Sequence, residues 1–295
     1  MINKLKAQIQ LLERLDSLPL AGKVADATDL QKLVNFVDFK FAESTSFKEL
    51  AGIAEYSGKT VRELLGHESL DVTVQSQKPV AVDSLDHIHP WGTKQDNSKN
   101  LKFNLKILAW LPLAQLQVLD IGCSGGGFVR TMHDTGALAV GIEGSDYSRI
   151  RARAEWGTIP HRLFTADATA PFSILKASGE RILFTLITAW EFIEHIDEDR
   201  LADVFDNIDK HLAKNGVVIM SVSPIDDIVD GVNLHRTVKP YDWWIKSCKA
   251  FGFVHHPQTV TYFSPDHWIR FEDNATQSFH LILTRAEDLL PPVPV

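Results

Sequence analysis

Residues 118–127 constrain the fold of this chain more than any other segment, and they read Val-Leu-Asp-Ile-Gly-Cys-Ser-Gly-Gly-Gly. An apolar run typical of a buried strand ends at Asp120, and a glycine-rich loop follows it. Glycines let a backbone turn sharply and approach a ligand to hydrogen-bonding distance, and Phe128 then opens a helix. The segment therefore predicts a strand, a loop that binds a small molecule carrying polar groups, and a helix.

The spacing of the glycines separates three kinds of ligand loop. A dinucleotide fingerprint requires G-x-G-x-x-G, but Ser124 stands where its second glycine belongs. A phosphate-binding P-loop requires Lys and Ser/Thr after its last glycine, where this chain has Phe128. The pattern that fits is Asp-x-Gly-x-small-x-Gly, formed by Asp120, Gly122, Ser124 and Gly126. It resembles motif I of the class I S-adenosylmethionine-dependent methyltransferases, and a glycine-rich turn without a ligand is the alternative on this segment alone.

Later segments follow in the order and spacing of that family. Residues 139–143 predict a second strand ending in an acid, and residues 163–168 place another acid after a third apolar run. Residues 181–196 predict a fourth strand running into a helix, similar to the family's "EVLEHI" segment. Residues 212–223 predict a turn and a buried fifth strand, similar to its "LKPGG" region. One departure is Thr185, where the family often carries Asp.

The second strand supplies a ribose ligand, since a carboxylate at a strand's carboxyl end can accept hydrogen bonds from two ribose hydroxyls. Glu143 takes this place. The resemblance implies that the glycine loop holds the methionine part of S-adenosyl-L-methionine, that Asp167 faces the adenine amino group, and that Trp190 packs beside the adenine. The predicted cofactor-binding residues are Asp120, Gly122, Cys123, Ser124, Gly126, Glu143, Gly144, Asp167, Ala168 and Trp190.

Alternating strands and helices beyond residue 105 predict an α/β fold, a doubly wound Rossmann-like sheet. The resemblance implies seven strands, with an antiparallel edge pair near 251–255 and 278–284. Apolar spacing over 2–18 and capping-box patterns before 47–56 and 61–66 predict helices, so we expect residues 1–85 to form a helical N-terminal cap. Residues 86–295 form the methyltransferase domain, with 86–104 expected as a lid.

Two histidines are candidate bases for removing a proton from an acceptor hydroxyl. Glu191 and His195 are predicted four residues apart on one helix face, so that the carboxylate orients the imidazole and raises its pKa. His235 lies in residues 233–244, which loosely resemble substrate loops of methyltransferases of sugar and polysaccharide biosynthesis. Each histidine is equally well explained by a structural role.

The same loop resemblance makes a hydroxyl on a sugar or glycan intermediate the expected acceptor. Flat indole faces suit sugar rings, and a cluster of lysines over 94–106 can attract a phosphate or carboxylate. The predicted substrate-binding residues are Trp91, Lys94, Arg236 and Trp243. A small-molecule or natural-product O-methyltransferase is the alternative, and a non-catalytic S-adenosylmethionine-binding protein is another. Asp86, His87 and His89 alternate like metal ligands, but they lack a further ligand cluster, so we predict no metal.

Composition and net charge narrow the remaining classes of protein to which the chain could belong. A formal net charge of −8 argues against a nucleic-acid-binding face, and no segment approaches eighteen consecutive apolar residues, so we expect no membrane span. Cys123 and Cys248 give neither a disulfide framework nor zinc spacing, which favours a cytoplasmic setting. The apolar stripe over 2–18 suits packing on its own domain, with a homodimer as the alternative.

Overall fold

A computed structural model describes residues 71–263 and 278–294 of the chain. The helices predicted over 2–18, 47–56 and 61–66 lie outside the described residues. Among the described residues, no helix has the length and apolar content that a bilayer span requires. The cytoplasmic setting and the alternative homodimer stay predictions.

Eleven strands and eight α-helices make up the described part of the chain. The strands are β1 (Val72–Ser76), β2 (Gln117–Ile121), β3 (Leu138–Glu143), β4 (Leu163–Thr165), β5 (Phe172–Lys176), β6 (Phe184–Trp190), β7 (Leu212–Val222), β8 (Ile228–Val229), β9 (Val232–Asn233), β10 (Phe253–His255) and β11 (Phe279–Arg285). The helices are α1 (Leu85–Ile88), α2 (Trp91–Gln95), α3 (Leu101–Trp110), α4 (Gly127–Asp134), α5 (Tyr147–Ile150), α6 (Leu201–His211), α7 (Tyr241–Ala250) and α8 (Pro257–Val260).

Seven strands form the central sheet in the order β10-β11-β7-β6-β2-β3-β4. Strands β7, β6, β2, β3 and β4 are parallel to one another. Strand β11 runs antiparallel to both of its neighbours. The predicted fold class, a doubly wound seven-stranded sheet with an antiparallel edge pair, is therefore confirmed. The strand order changes direction at β2, where ligands of such sheets bind beyond the carboxyl ends.

The central strands are largely apolar because helices and loops cover both faces of the sheet. All six residues of β3 are buried. Successive residues enter different cores: Val118 packs on one side of the sheet and Leu119 on the other, as do Val217 and Val218. A continuous apolar run, rather than an alternating one, is thus the sequence signature of this sheet.

Strands β1 and β5 form a separate antiparallel pair, from Val72 opposite Lys176 to Ser76 opposite Phe172. This pair was not predicted, because residues 1–85 were expected to form a helical cap. Residues on the N-terminal side of the predicted boundary at 85 thus add a strand to the methyltransferase domain. The boundary itself stays a prediction, since residues 1–70 lie outside the described part.

Two local predictions are wrong. No α-helix follows β6 directly: Glu191 has a φ of 47°, which breaks the regular backbone, and two short 3₁₀ turns, Ile193–His195 and Glu198–Arg200, form before α6. Trp243 was expected in a loop, but it lies within α7, which begins directly after Pro240. Proline fixes its own φ and is well placed just before a helix.

Candidate active site

A cavity of about 390 Å³ opens at the carboxyl ends of β2, β3, β4 and β6. Its volume is in the range of small-molecule sites. Residues from the glycine loop, from the strand ends and from the 3₁₀ turn line it, among them Gly122, Ser124, Glu143, Asp167, Trp190 and His195. The parallel strands bring these positions together because their carboxyl ends meet at one edge of the sheet.

Residues 81–100, which we call the covering segment, lie across the glycine loop. The amide of Ala81 donates to the carbonyl of Gly144 at 2.9 Å. The hydroxyl of Ser124 donates to the carbonyl of Asp96 at 3.1 Å, and the guanidinium of Arg153 donates to the same carbonyl at 2.6 Å. The segment expected as a lid over 86–104 is therefore docked on the ligand loop.

Two glycines of the loop make room for the covering segment rather than for a ligand. A Cβ atom at Gly125 would lie 2.6 Å from Oδ1 of Asn97, and one at Gly127 would lie 2.5 Å from its carbonyl oxygen. Gly126 has a φ of 82°, which only glycine adopts without strain. The expectation that the loop glycines serve close approach to a ligand therefore does not apply to Gly125 and Gly127.

Glu143 ends β3 and holds the glycine loop. Its carboxylate accepts hydrogen bonds from the backbone amide of Ser124 at 2.7 Å and from that of Ser145 at 3.0 Å. Burial raises the pKa of Glu143 to about 7, against the opposing effect of these two amides. The side chain of Glu143 thus lines the cavity, and its carboxyl group is partly protonated near neutral pH.

Asp167 lies beyond β4 with one carboxylate oxygen engaged. Its Oδ1 accepts from the amide and the hydroxyl of Thr169, at 2.8 and 2.7 Å, and its Oδ2 lies 3.6 Å from Nζ of Lys78. Ala168 and Gly144, both predicted to contact the cofactor, also line the cavity.

Trp190 closes the inner side of the cavity. Its ring packs edge-on against Phe103 and Phe128, with centroids 5.0 and 5.9 Å away. Its Nε1 atom is buried, and among the described residues it has no hydrogen-bond partner.

Three predicted cofactor residues lie behind the cavity wall instead of in it: Asp120, Cys123 and Gly126. Asp120 is buried and accepts a hydrogen bond from the hydroxyl of Thr188 at 2.7 Å. Cys123 is buried against Gly141, and burial raises the pKa of its thiol well above the usual value. These three residues set the conformation of the glycine loop, in which Gly122 and Ser124 line the cavity.

His195 lines the cavity, and its Nδ1 lies 3.1 Å from Oδ2 of Asp86 in an ion pair. Burial alone would lower the pKa of His195, but the attraction of Asp86, with smaller effects of Glu194 and Asp227, raises it to about 9. Sequence analysis considered Asp86 only as a metal ligand. Its position in the expected lid was the one signal that placed it near the site.

His235 lies behind His195, with ring centroids 4.7 Å apart and nearly perpendicular planes. Its Nδ1 donates to the carbonyl of Ile225, which leaves Nε2 without a proton in the neutral ring. Burial, and then the positive charge of His195, lower the pKa of His235. Because it does not line the cavity, His235 is less suited than His195 to act as the base.

The predicted pairing of Glu191 with His195 is wrong. Glu191 lines the cavity, but its Oε2 accepts a hydrogen bond from the hydroxyl of Ser278 at 2.7 Å. The two residues are separated by a left-handed backbone turn rather than by one turn of α-helix, so the spacing rule for helices does not apply. Asp86 takes the place assigned to Glu191.

One of the four predicted substrate residues reaches the cavity. Arg236 lines it, and its Nε lies 2.8 Å from Oδ1 of Asp197. Trp91 and Lys94 pack on each other outside the lining, with Nζ 4.5 Å from the ring centroid. Trp243 also lies outside the lining, edge-on to the buried Trp244. Among the described residues, no group of three His, Cys, Asp or Glu side chains is arranged to hold a metal ion.

Comparison with known proteins assigns the chain to a family. A family model described as a methyltransferase domain matches residues 85–274, more than half of the chain. The chain belongs to this family. It contains a methyltransferase domain, and its cavity lies beyond the carboxyl ends of β2 and β3, where ligands bind in doubly wound sheets.

Curated relatives of this methyltransferase match part of its length. It is 32% identical over 105 residues to the ubiquinone biosynthesis O-methyltransferase of Bartonella tribocorum, covering 34% of this chain and 39% of that protein. It is 28% identical over 144 residues to the protein of the same name from Brucella ovis, covering 48% and 50%. The chain thus spans half or less of the length of these relatives.

Among solved structures, an S-adenosylmethionine-dependent methyltransferase from Clostridium acetobutylicum covers 67% of this chain and 97% of its own chain. The two sequences are 13% identical, and the TM-score is 0.46.

Proposed function

We propose that this methyltransferase transfers a methyl group to a hydroxyl of a small-molecule acceptor, with His195 as the general base. The observation that carries the proposal is the ion pair of His195 and Asp86 at the wall of the cavity. A carboxylate at ion-pair distance from one imidazole nitrogen attracts the protonated ring and leaves the other nitrogen for the acceptor. The names of the two relatives, both O-methyltransferases, support a hydroxyl as the acceptor group.

The lining residues fit the cofactor. Glu143 offers its carboxylate to the ribose hydroxyls, and the loop around Gly122 and Ser124 offers backbone atoms to the methionine part. Asp167 is proposed to face the adenine, and the ring of Trp190 to pack beside it. When bound, the cofactor supplies an electrophilic methyl group on a sulfonium.

The protein's own contribution to the reaction is alignment and proton removal. With the cofactor bound, the lining residues would align the acceptor oxygen with the methyl carbon, and the sulfonium sulfur would leave with the electron pair of the carbon–sulfur bond. His195 takes the hydroxyl proton at Nε2 and later releases it to water. Positioning supplies several kcal/mol, and a general base typically adds about 10²–10⁴-fold in rate.

The class of acceptor is the finer part of the proposal. The sugar or glycan acceptor expected from residues 233–244 loses support from Trp91, Lys94 and Trp243, because these side chains do not line the cavity. The relatives' names favour a phenolic acceptor instead. We therefore propose a small-molecule hydroxyl, phenolic in the first instance, with sugars as the second candidate.

A panel of acceptors tests this proposal directly. Purified protein is incubated with labelled S-adenosylmethionine and with catechols, prenylated phenols, sugars and nucleotide sugars, and methylated products are identified by mass spectrometry. We expect transfer to a phenolic hydroxyl, and a His195→Gln variant should transfer at least about 100-fold more slowly. Transfer to nitrogen or carbon acceptors alone, or an unchanged rate in the variant, would refute the proposal.

A further inference from the structure

We propose that Asp86 is a positioning residue for His195 and that the covering segment delivers it, so that the base is assembled only while this segment is docked. The inference rests on the proposed function of His195. It adds Asp86, which lies outside the strand ends, to the residues of the proposed function. It also makes the orientation of the base depend on the position of residues 81–100.

The start of α1 fixes where Asp86 points. Ser84 caps this helix, with its hydroxyl oxygen accepting from the amide of His87 at 3.1 Å. Asp86 lies in the first turn, and its side chain is about 30% exposed at the cavity. Because a cap and a first turn have defined backbone geometry, the carboxylate reaches Nδ1 of His195 without depending on a flexible loop.

The rest of the covering segment is held by backbone contacts that do not involve His195. The carbonyl of Asp96 accepts from Ser124 and from Arg153, and the amide of Ala81 donates to Gly144. Nδ1 of His87 lies 3.9 Å from Asp146. The segment is therefore anchored on both sides of Asp86, and its docking sets the distance from Asp86 to His195.

Other charged groups around His195 cannot replace Asp86. Glu194 is buried, its Oε1 accepts from the amide of Ser223 at 2.7 Å, and burial raises its pKa to about 8. Burial opposes its charged form, and its attraction for His195 is weaker than that of Asp86. Asp227, in the segment before β8, acts more weakly than Asp86, and His235 faces the ring as a neutral group. Asp86 is the carboxylate within ion-pair distance of His195.

The sign of the pH effect follows from this arrangement. His195 accepts a proton only in its neutral form, so turnover rises with pH toward about 9, the pKa that Asp86 maintains. Without the carboxylate, burial favours the neutral ring at lower pH. The Asp86→Asn variant should therefore reach half of its maximal rate at a pH about 1–2 units lower than the unaltered protein. Its maximal rate should fall about tenfold because the ring is less well oriented.

The test measures kcat from pH 6 to pH 10 in Asp86→Asn, Asp86→Glu, His195→Gln and the control Asp206→Asn. Asp206 is an exposed acid of α6 that pairs with Lys210, so its amide should leave the profile in place. Asp86→Glu should restore part of the rate and of the alkaline midpoint. Histidine NMR titration, with the signal of His195 assigned from His195→Gln, measures the same midpoint without turnover.

The outcomes separate the two proposals. A normal profile in His195→Gln would refute the proposed base. A different outcome would refute only the role of Asp86. In that case kcat of His195→Gln would lose its pH dependence, while Asp86→Asn would keep the midpoint of the unaltered protein in both the kinetic and the NMR titration. A lower rate in Asp86→Asn with weaker cofactor binding and no shift of midpoint would mean that Asp86 acts on folding of the segment, which also overturns the inference.

Discussion

The carboxylate of Glu143 holds the glycine loop and also lines the cavity. Two backbone amides, those of Ser124 and Ser145, donate hydrogen bonds to it. Hydrogen bonds to a charged group contribute about 1.5–3 kcal/mol each, so these bonds define the loop as well as offering an acceptor. A carboxylate with a pKa of about 7 also makes the site sensitive to pH in the physiological range.

The affinity for S-adenosylmethionine should therefore rise with pH as the carboxyl group of Glu143 loses its proton. Below pH 7 the carboxyl holds a proton and accepts fewer hydrogen bonds from hydroxyls, and above it the carboxylate prevails. Calorimetry at pH 6 and pH 8 should show tighter binding at the higher pH. In Glu143→Ala, binding should weaken at least about tenfold and lose this dependence.

A matched control for this residue is Glu180→Gln, which removes an exposed acid paired with Lys176. Its affinity for the cofactor should equal that of the unaltered protein. If Glu143→Ala bound the cofactor as tightly as this control, Glu143 would not be the ribose ligand.

At the scale of the element, the glycine loop and the covering segment form one unit. The loop carries glycines at 125 and 127 because Asn97 and its neighbours pack directly on the backbone there. A side chain at either position would push the covering segment away, and Asp86 with it. The spacing of glycines thus encodes a contact between two segments far apart in the chain.

A Gly125→Ala substitution should undock the covering segment. The added Cβ would lie 2.6 Å from Oδ1 of Asn97 and 2.7 Å from the carbonyl oxygen of Asp96, and the second atom belongs to the backbone. Hydrogen exchange of residues 91–100 should become at least about tenfold faster, while the central strands stay protected.

Gly92→Ala is the control for this exchange experiment. It adds the same methyl group within the covering segment, but its Cβ meets no atom within 4 Å. Exchange in this variant should stay as slow as in the unaltered protein. Equal exchange in Gly125→Ala would show that the segment is not held by its contact with the loop.

At the scale of the whole molecule, the β1–β5 pair extends the methyltransferase domain beyond its central sheet. Val72 and Val74 of β1 are partly buried against the main core, and their strand covers one edge of β5. An uncovered edge presents unpaired backbone groups, which favours aggregation. The pair therefore stabilises the domain from a segment that precedes the matched family region.

Two truncations test this contribution. A chain beginning at residue 77 lacks β1, and a chain beginning at residue 71 keeps it. Losing the strand should cost at least about 1 kcal/mol from the two valines alone, which corresponds to a melting temperature about 2–4 °C lower in a domain of this size. Equal melting temperatures in the two chains would mean that β1 packs too loosely to matter.

The sequence determined the central sheet and the edge of the sheet at which the cavity lies. Continuous apolar runs over β2, β3, β6 and β7 are local signals, because both faces of a parallel sheet exclude water. The acids and glycines at the strand ends are also local, so Glu143, Asp167 and the loop around Gly122 were predicted correctly as neighbours at one edge of the sheet.

Only the tertiary structure decided which distant partners these residues meet. Asp86 reaches His195, Asn97 covers Gly125, and β1 pairs with β5. Each of these contacts joins segments well separated in the chain, and the partner is one acid, amide or short strand among many similar ones. Hydrophobic periodicity specifies which residues are buried, whereas the choice of a polar partner depends on the packed geometry that brings two segments within hydrogen-bonding distance.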